Sequence, residues 1–293
     1  MPDIAAGDYL LGLDPGRGGS IARFEWRGEP LMRATCGPSI LDTACFPLVP
    51  FSNRIAFGEF PDGERTVRLA PNFPGQYHPH PLHGFGWLQP WEITERSANG
   101  AVLRHHHLPG EWPWEYVAHQ RFRISADGLS HELSVCNLSD RPMPAGLGFH
   151  PYFPCNVHTT YLGLHRGEWP TSPYGLPLSL EEKDQPIDWW GGKSVTSRHV
   201  DTVYTDRRGP LAITWPDRNI ALHITVSDNL PQTVIYTPPD ANYFCAEPVS
   251  HLTNALNQAG QGGMKSLAPN KTFTVTAKYR AHKANEKSSG REA

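Results

Sequence analysis

The sequence has no apolar run near the roughly 20 residues that a membrane-crossing helix needs. Its longest candidate, residues 4–13, is interrupted by glycine and aspartate. The opening Met1-Pro2-Asp3-Ile4 has neither a basic region nor an apolar one, so no export signal is expected. An excess of one charge is missing as well. Lys and Arg total 26 against 29 Asp and Glu, a formal charge of −3, so no cationic field favours nucleic acid or an anionic membrane. Cysteine is scarce and odd in number: Cys36, Cys45, Cys136, Cys155 and Cys245, with no C-x-x-C pair. That argues against a disulfide framework or a zinc ribbon and fits reduced thiols in a cytoplasm. No window of a dozen residues sustains a 3.6-residue apolar period, and no fixed-length repeat appears, which counts against helical bundles, propellers and solenoids.

What the chain does have is aromatic residues, at 11%, and many turn formers, with 27 Gly and 29 Pro. Such a composition buries a core rather than staying disordered. Short strand-like runs dominate. They fall at residues 20–26, 30–32, 87–93, 101–106, 116–124, 129–138, 145–149, 200–204, 211–215, 221–226, 233–236, 243–247 and 272–279. Ser125-Ala126-Asp127-Gly128 reads as a hairpin turn between two of them. Prolines sit between the runs, and turn signals recur about every ten residues, the pattern of an all-β sandwich or barrel. The longest stretch without strand pattern is 164–198, which reads as a functional loop rather than a linker. The expected organisation is one domain over residues 1–282 and a charged, disordered tail over 283–293.

Histidine is frequent, at 15. Adjacent His105-His106-His107 on a strand would point to alternating faces, so no metal site is assigned there. His78 and His80, in a Pro-rich segment, read as bystanders. Four other segments are more informative: Phe51-Ser52-Asn53-Arg54-Ile55, Leu82-His83-Gly84, Phe149-His150-Pro151-Tyr152-Phe153, and Cys245-Ala246-Glu247-Pro248. Taken singly, each is better explained by structure: Arg54 as a surface ion-pair partner, His83 or His150 as a hydrogen-bonded core residue, Glu247 as a strand exit. Together they place a carboxylate, two imidazoles and a guanidinium among apolar strand ends. Buried charges are costly unless paired, so these groups are expected to share one pocket, with aromatic faces for a sugar's C–H groups.

Asn-Arg-Ile, Leu-His-Gly, His-x-Tyr-Phe and a late Glu-Pro, in that order, resemble the aldose 1-epimerase (galactose mutarotase) family. The opening Gly18–Phe24 stretch and the closing Leu267-Ala268-Pro269-Asn270 resemble the family's ends, so the similarity spans roughly residues 9–280. The resemblance implies a large antiparallel β-sandwich of the supersandwich type, a small-molecule sugar substrate and no cofactor. It implies Glu247 as general base and His150 as general acid, His83 near the ring oxygen, and Arg54 with neighbouring Asn53 on the sugar hydroxyls. Asp201 matches the family's substrate-binding aspartate. Phe85 after Leu-His-Gly and Pro154 after His-x-Tyr-Phe depart from the usual pattern and bear on pocket shape. The expected reaction interconverts α and β anomers of a free aldohexose in a cytoplasmic monomer or homodimer.

Three alternatives use the same residues differently. A hexose 6-phosphate substrate would need cations at the pocket mouth, for which Arg65, Arg68, Arg207 and Arg208 are candidates. A non-catalytic sugar-binding protein would need no acid–base pair. A glycosidase would need a second carboxylate beside Glu247, for which Asp201 is the candidate.

Overall fold

The computed structural model describes residues 3–285. Among them, seventeen strands join in one network whose ladders are antiparallel. The hairpin Tyr116–Ser125 and Gly128–Asn137 closes through a two-residue turn, with Ser125 opposite Gly128. Pairing continues through Thr272–Lys283 and Ile220–Val226 to the long strand Asp201–Trp215. One edge of that strand serves two neighbours: its second half pairs with Ile220–Val226, and its first half with Gln232–Tyr236. From Gln232–Tyr236 a second sheet runs through Tyr243–Val249, Gly148–Pro154, Cys45–Leu48 and Ser20–Trp26. The two sheets face each other, with Phe24 against Tyr279 and Phe149 against His131 at ring distances of 6.1 and 4.4 Å. This is the expected large antiparallel sandwich.

The first sheet shows plain alternation. Tyr116, Ala118, Gln120, Phe122 and Ile124 are buried, while the residues between them are not. Because successive side chains point to opposite faces, one face lies on the core and the other meets solvent. The second sheet is buried on both faces: all four residues of Cys45–Leu48 and six of the seven in Gly148–Pro154 and in Tyr243–Val249. Its inner face carries Phe149, Phe153, Phe244 and Ala246. Its outer face carries a separate cluster including Phe46, Leu48, Tyr152, Val203, Val234 and Cys245. That outer face is the floor of the site.

Several elements differ from expectation. Residues 164–198 are not one loop: the strand Thr160–Trp169 runs into them, and Glu181–Asp188 forms a sheet edge beside it. The Glu-Glu-Lys-Asp-Gln-Pro-Ile-Asp edge is largely exposed, so it has no apolar alternation to read, and its charges discourage edge-to-edge pairing. Residues 87–91 are not strand, which begins at Glu92. Trp87 and Trp91 are instead core plugs, their indoles donating to the carbonyls of Leu82 and Gly84, and of Gly86. Prolines do enter strands: Pro151 and Pro248 lie within neighbouring ones. The stretch 145–149 is divided between two strands, while 200–204 and 211–215 belong to one. Residues 283–285, assigned to the expected tail, are ordered: the last strand reaches Lys283, and Asn285 donates its N–H to the side-chain oxygen of Asn219. Residues 286–293 lie outside the described residues.

The segment carrying His83 is pinned by its glycine. Gly84 has φ +70°, and a Cβ there would lie 2.3 Å from the Val49 carbonyl oxygen. The same oxygen accepts from the N–H groups of Phe85 and Gly86. Gly84→Ala is therefore expected to destabilise the fold by about 2–4 kcal/mol, readable as a lowered Tm. An unchanged melting curve would contradict this packing.

Candidate active site

The ladder between Gly148–Pro154 and Tyr243–Val249 pairs Gly148 with Val249 and resumes with Tyr152 opposite Cys245. Pro151 and Pro248 lie in the interruption, where neither has an N–H to give. Two steps from each end of the gap bring His150 opposite Glu247, on the outer face. Their side chains meet, with Nε2 of His150 3.3 Å from Oε1 of Glu247. Both are buried, at 7% and 2% exposure. On the next strand Phe46 stacks on the His150 ring at 4.3 Å.

This pair floors a cavity of about 260 Å³ whose other walls come from the segments around Arg54, His83, Asp201 and the Tyr152, Tyr236 and Tyr243 rings. Arg54 and Asp201 are joined by Nη2 to Oδ2 at 2.9 Å. The Asn53 side-chain oxygen accepts from the Arg54 backbone N–H and from its Nη1, at 2.9 and 3.0 Å, and so fixes the guanidinium. The Asn53 N–H donates to Nδ1 of His83, and the His83 N–H returns a bond to the Asn53 carbonyl. With Nδ1 accepting, the neutral His83 ring carries its proton on Nε2 and is a donor there. Asn53 and His83 both sit at positive φ, 58° and 59°, a conformation that Asn and His tolerate better than most residues.

Burial sets the protonation. It pushes the Glu247 carboxyl well above the usual range, with Asp201 adding to the rise and Arg54 opposing it. It pushes His150 down to about 3 and holds His83 well below its ordinary value, with His150 and Arg54 adding to the drop. Burial thus favours the neutral form of each group, a carboxylic acid beside an imidazole. Moving one proton across 3.3 Å converts the pair to carboxylate and imidazolium with no change in total charge. Oε2 of Glu247 has no hydrogen-bond partner among the described residues, so a ligand hydroxyl would satisfy it.

A sequence model described as aldose 1-epimerase matches residues 16–280. The chain belongs to the aldose 1-epimerase family. The Escherichia coli K12 protein YphB, itself uncharacterised, is 29% identical over 274 residues, covering 90% of this chain and 93% of its own. A crystal structure from the same organism, with a provisional aldose 1-epimerase assignment, has a TM-score of 0.88 at 28% identity and covers 96% of this chain and 98% of its own. A galactose mutarotase-like protein from Clostridium acetobutylicum gives a TM-score of 0.82 at 19% identity, covering 96% and 94%; that likeness speaks to the fold.

In this family member, all six residues singled out in the sequence, Asn53, Arg54, His83, His150, Asp201 and Glu247, line the one cavity. His78 does so too and is no bystander: its Nε2 lies 3.5 Å from Nε of Arg54. The sequence offered no signal for it beyond its proline-rich setting. Also missed was Arg33, whose guanidinium lies over the rings of Tyr152 and Tyr243 at 4.0 and 4.5 Å and stiffens that wall. The arginines considered for a phosphate do not line the cavity. Arg65 and Arg68 belong to a small separate hairpin, Arg207 binds the Leu230 carbonyl, and Arg208 pairs with Asp206. His105 packs on the Trp91 ring, His106 meets the Glu115 carboxylate and His107 the Trp112 carbonyl, while His105 and His107 both lie against the Tyr116 ring.

Possible ligand atoms of His150, Cys245 and Glu247 lie within 4.8 Å of one another. Burial raises the Cys245 thiol well above its usual value, so a cation would have to displace a firmly held proton. The described helices include none long and apolar enough to cross a membrane. No disulfide forms among the described residues, which include all five cysteines.

The shifts have opposite consequences for stability. Folding tightens the Glu247 proton, so this group's contribution is full below the ordinary carboxyl range and is lost as pH rises through the elevated value. His150 releases its proton on folding, so its penalty appears as pH falls from 6.5 toward about 3. Glu247→Gln is therefore expected to raise Tm at pH 8 by about 2–5 °C, with the gain shrinking toward pH 4.5. An equal loss of Tm at both pH values would contradict the buried, proton-retaining carboxyl.

Proposed function

We propose that the protein is an aldose 1-epimerase that interconverts the α and β anomers of a free aldohexose. The observation that carries this reading is the His150–Glu247 contact of 3.3 Å in a cavity that Arg54 and Asp201 also line. Anomer exchange opens a cyclic hemiacetal, turns the aldehyde over and closes the ring. Opening takes the proton from the C1 hydroxyl, breaks the bond between C1 and the ring oxygen, and places a proton on that oxygen. Glu247 as carboxylate accepts the first proton and His150 as imidazolium gives the second.

The pair then stands as carboxylic acid and neutral imidazole, the state that burial favours. After rotation about C1–C2, closure runs the two transfers backwards and restores the starting charges. The proton inventory closes within two side chains, and no cofactor enters the sequence of steps. Each positioned proton carrier contributes typically ~10²–10⁴-fold. Arg54, fixed by Asn53, and Asp201 would bind the remaining hydroxyls by charge-assisted hydrogen bonds and retain the open chain. His83 would donate from Nε2 near the ring oxygen. Tyr152, Tyr236 and Tyr243 would cover the sugar's C–H faces.

A free sugar is favoured over a hexose 6-phosphate because Arg54, the arginine that lines the cavity, is already joined to Asp201. A glycosidase is disfavoured because the second carboxylate of the cavity, Asp201, is paired with Arg54. A purely binding protein would have no need to bury a carboxyl and an imidazole in contact. Cytoplasmic action on a small sugar, as monomer or homodimer and without nucleic acid or membrane, completes the reading.

Polarimetry on freshly dissolved α-glucose tests it. Glu247→Gln and His150→Asn should remain folded and lose at least about 10²-fold in mutarotation rate. Either variant keeping the wild-type rate overturns the assignment. Glucose 6-phosphate added at the same concentration as glucose should leave the rate unchanged, and strong competition would favour the phosphate reading.

A further inference from the structure

The segment that carries Arg54 has no strand of its own to hold it. Residues 52–56 take part in one isolated bridge, Arg54 to Leu82, yet all five of their backbone N–H groups are taken. Ile55 donates to the Pro81 carbonyl. The other four donate to side chains: Ser52 to Nε2 of His251, Asn53 to Nδ1 of His83, Arg54 to Oδ1 of Asn53, and Ala56 to Oδ1 of Asn254, at 2.9–3.1 Å. The Arg54 carbonyl accepts from the Asn254 N–H at 2.8 Å. Asn53 and His83 line the cavity; His251 and Asn254 do not.

His251 is prepared for this contact. It is buried, and its Nδ1 lies 2.8 Å from the Leu252 carbonyl, so Nδ1 carries the proton and Nε2 is bare to accept. Burial pushes the imidazole down to about 4, which keeps that acceptor at neutral pH. Room for the ring is made at Gly146, where a Cβ would lie 2.1 Å from Cδ2 of His251. The Gly146 N–H donates to the Pro50 carbonyl, the Ser250 N–H to the Leu147 carbonyl, and the Leu147 N–H to Oγ of Ser250. Three segments thus meet around His251: the one leading to His150, the one leaving Glu247 and the one carrying Arg54. Asn254 sits at φ 57°, a conformation that asparagine tolerates, and turns both its N–H and its Oδ1 to the Arg54 segment.

We propose that His251 and Asn254 are positioning residues that hold Arg54 in register with the His150–Glu247 pair, and so set affinity for the sugar without touching it. The inference rests on the aldose 1-epimerase reading and adds to it two residues outside the cavity. Arg54 would bind hydroxyls at a fixed distance from a sheet to which it does not belong, so its backbone needs an anchor to that sheet. The stretch that follows Glu247 supplies one on each side of Arg54, at Ser52 and at Ala56. Losing the His251 acceptor would leave the buried Ser52 N–H unpaired, a cost that the segment can relieve only by moving.

Asn254→Gly removes Oδ1 while keeping the N–H and the positive φ, and Asn254→Asp restores an acceptor in the same place. His251→Leu and His251→Gln make the same contrast at Ser52. With glucose, Asn254→Gly and His251→Leu should raise KM at least about 5-fold and leave kcat within about 2-fold, because His150 and Glu247 stay in place. Asn254→Asp and His251→Gln should recover the wild-type KM. In an Arg54→Ala background, Asn254→Gly should change KM no further, a coupling that a merely structural role would not produce. An unchanged KM in Asn254→Gly overturns the inference, as does a fall in kcat alone or a KM effect that persists without the Arg54 side chain. If His251→Leu does not fold, the Asn254 variants decide the matter. Wild-type protein inert toward glucose overturns the epimerase reading itself, and that result is seen before any variant is compared.

Discussion

The site depends on a register. Two strands, Gly148–Pro154 and Tyr243–Val249, lie side by side with His150 opposite Glu247, and a slip of one residue would turn either side chain into the sandwich core. The prolines that interrupt hydrogen bonding between these strands stand next to His150 and Glu247. What holds the register is packing on both faces: Phe149, Phe153, Phe244 and Ala246 inward, Phe46, Tyr152 and Cys245 outward. The imidazole and carboxyl are thus positioned by a doubly buried sheet rather than by loops.

That position makes the pair both costly and useful. Water would hydrate a carboxylate and an imidazolium; the apolar floor instead drives them to their neutral forms. The same environment makes the charged and neutral forms of the pair interconvertible by one short proton movement. In the proposed reaction, sugar hydroxyls would supply a partner for Oε2 of Glu247, with Arg54 and Asp201 already in place. Burying Glu247 costs stability, as expected where a polar group is kept in a place that the fold would sooner fill with an apolar one.

The first sheet was legible because it is half wet. Residues 116–124, 129–138 and 272–279 alternate between core and solvent, and the structure pairs them as strands. The second sheet has continuous apolar runs instead: Ser20–Trp26, Gln232–Tyr236 and Tyr243–Val249 were read as strands, Gly148–Pro154 only at its start and Cys45–Leu48 not at all, and the prolines inside them were not expected. The edge Glu181–Asp188 escaped because an exposed strand has no apolar face, and Trp87 and Trp91 misled because a plugged turn can look like a strand. The six motif-borne residues all line the one cavity. His78 and Arg33 were missed: each reaches the cavity or its wall through a contact made by the fold, with Arg54 in one case and with Tyr152 and Tyr243 in the other. A one-dimensional pattern holds no trace of such contacts.

The most direct measurement of the central claim uses the unmodified protein at chemical equilibrium. Two-dimensional exchange NMR on equilibrated glucose reports α-to-β interconversion as cross-peaks between the two anomeric protons. The account predicts cross-peaks that grow in proportion to protein concentration, with the equilibrium anomer ratio unchanged. An exchange rate that stays at the buffer value as protein is added would contradict it.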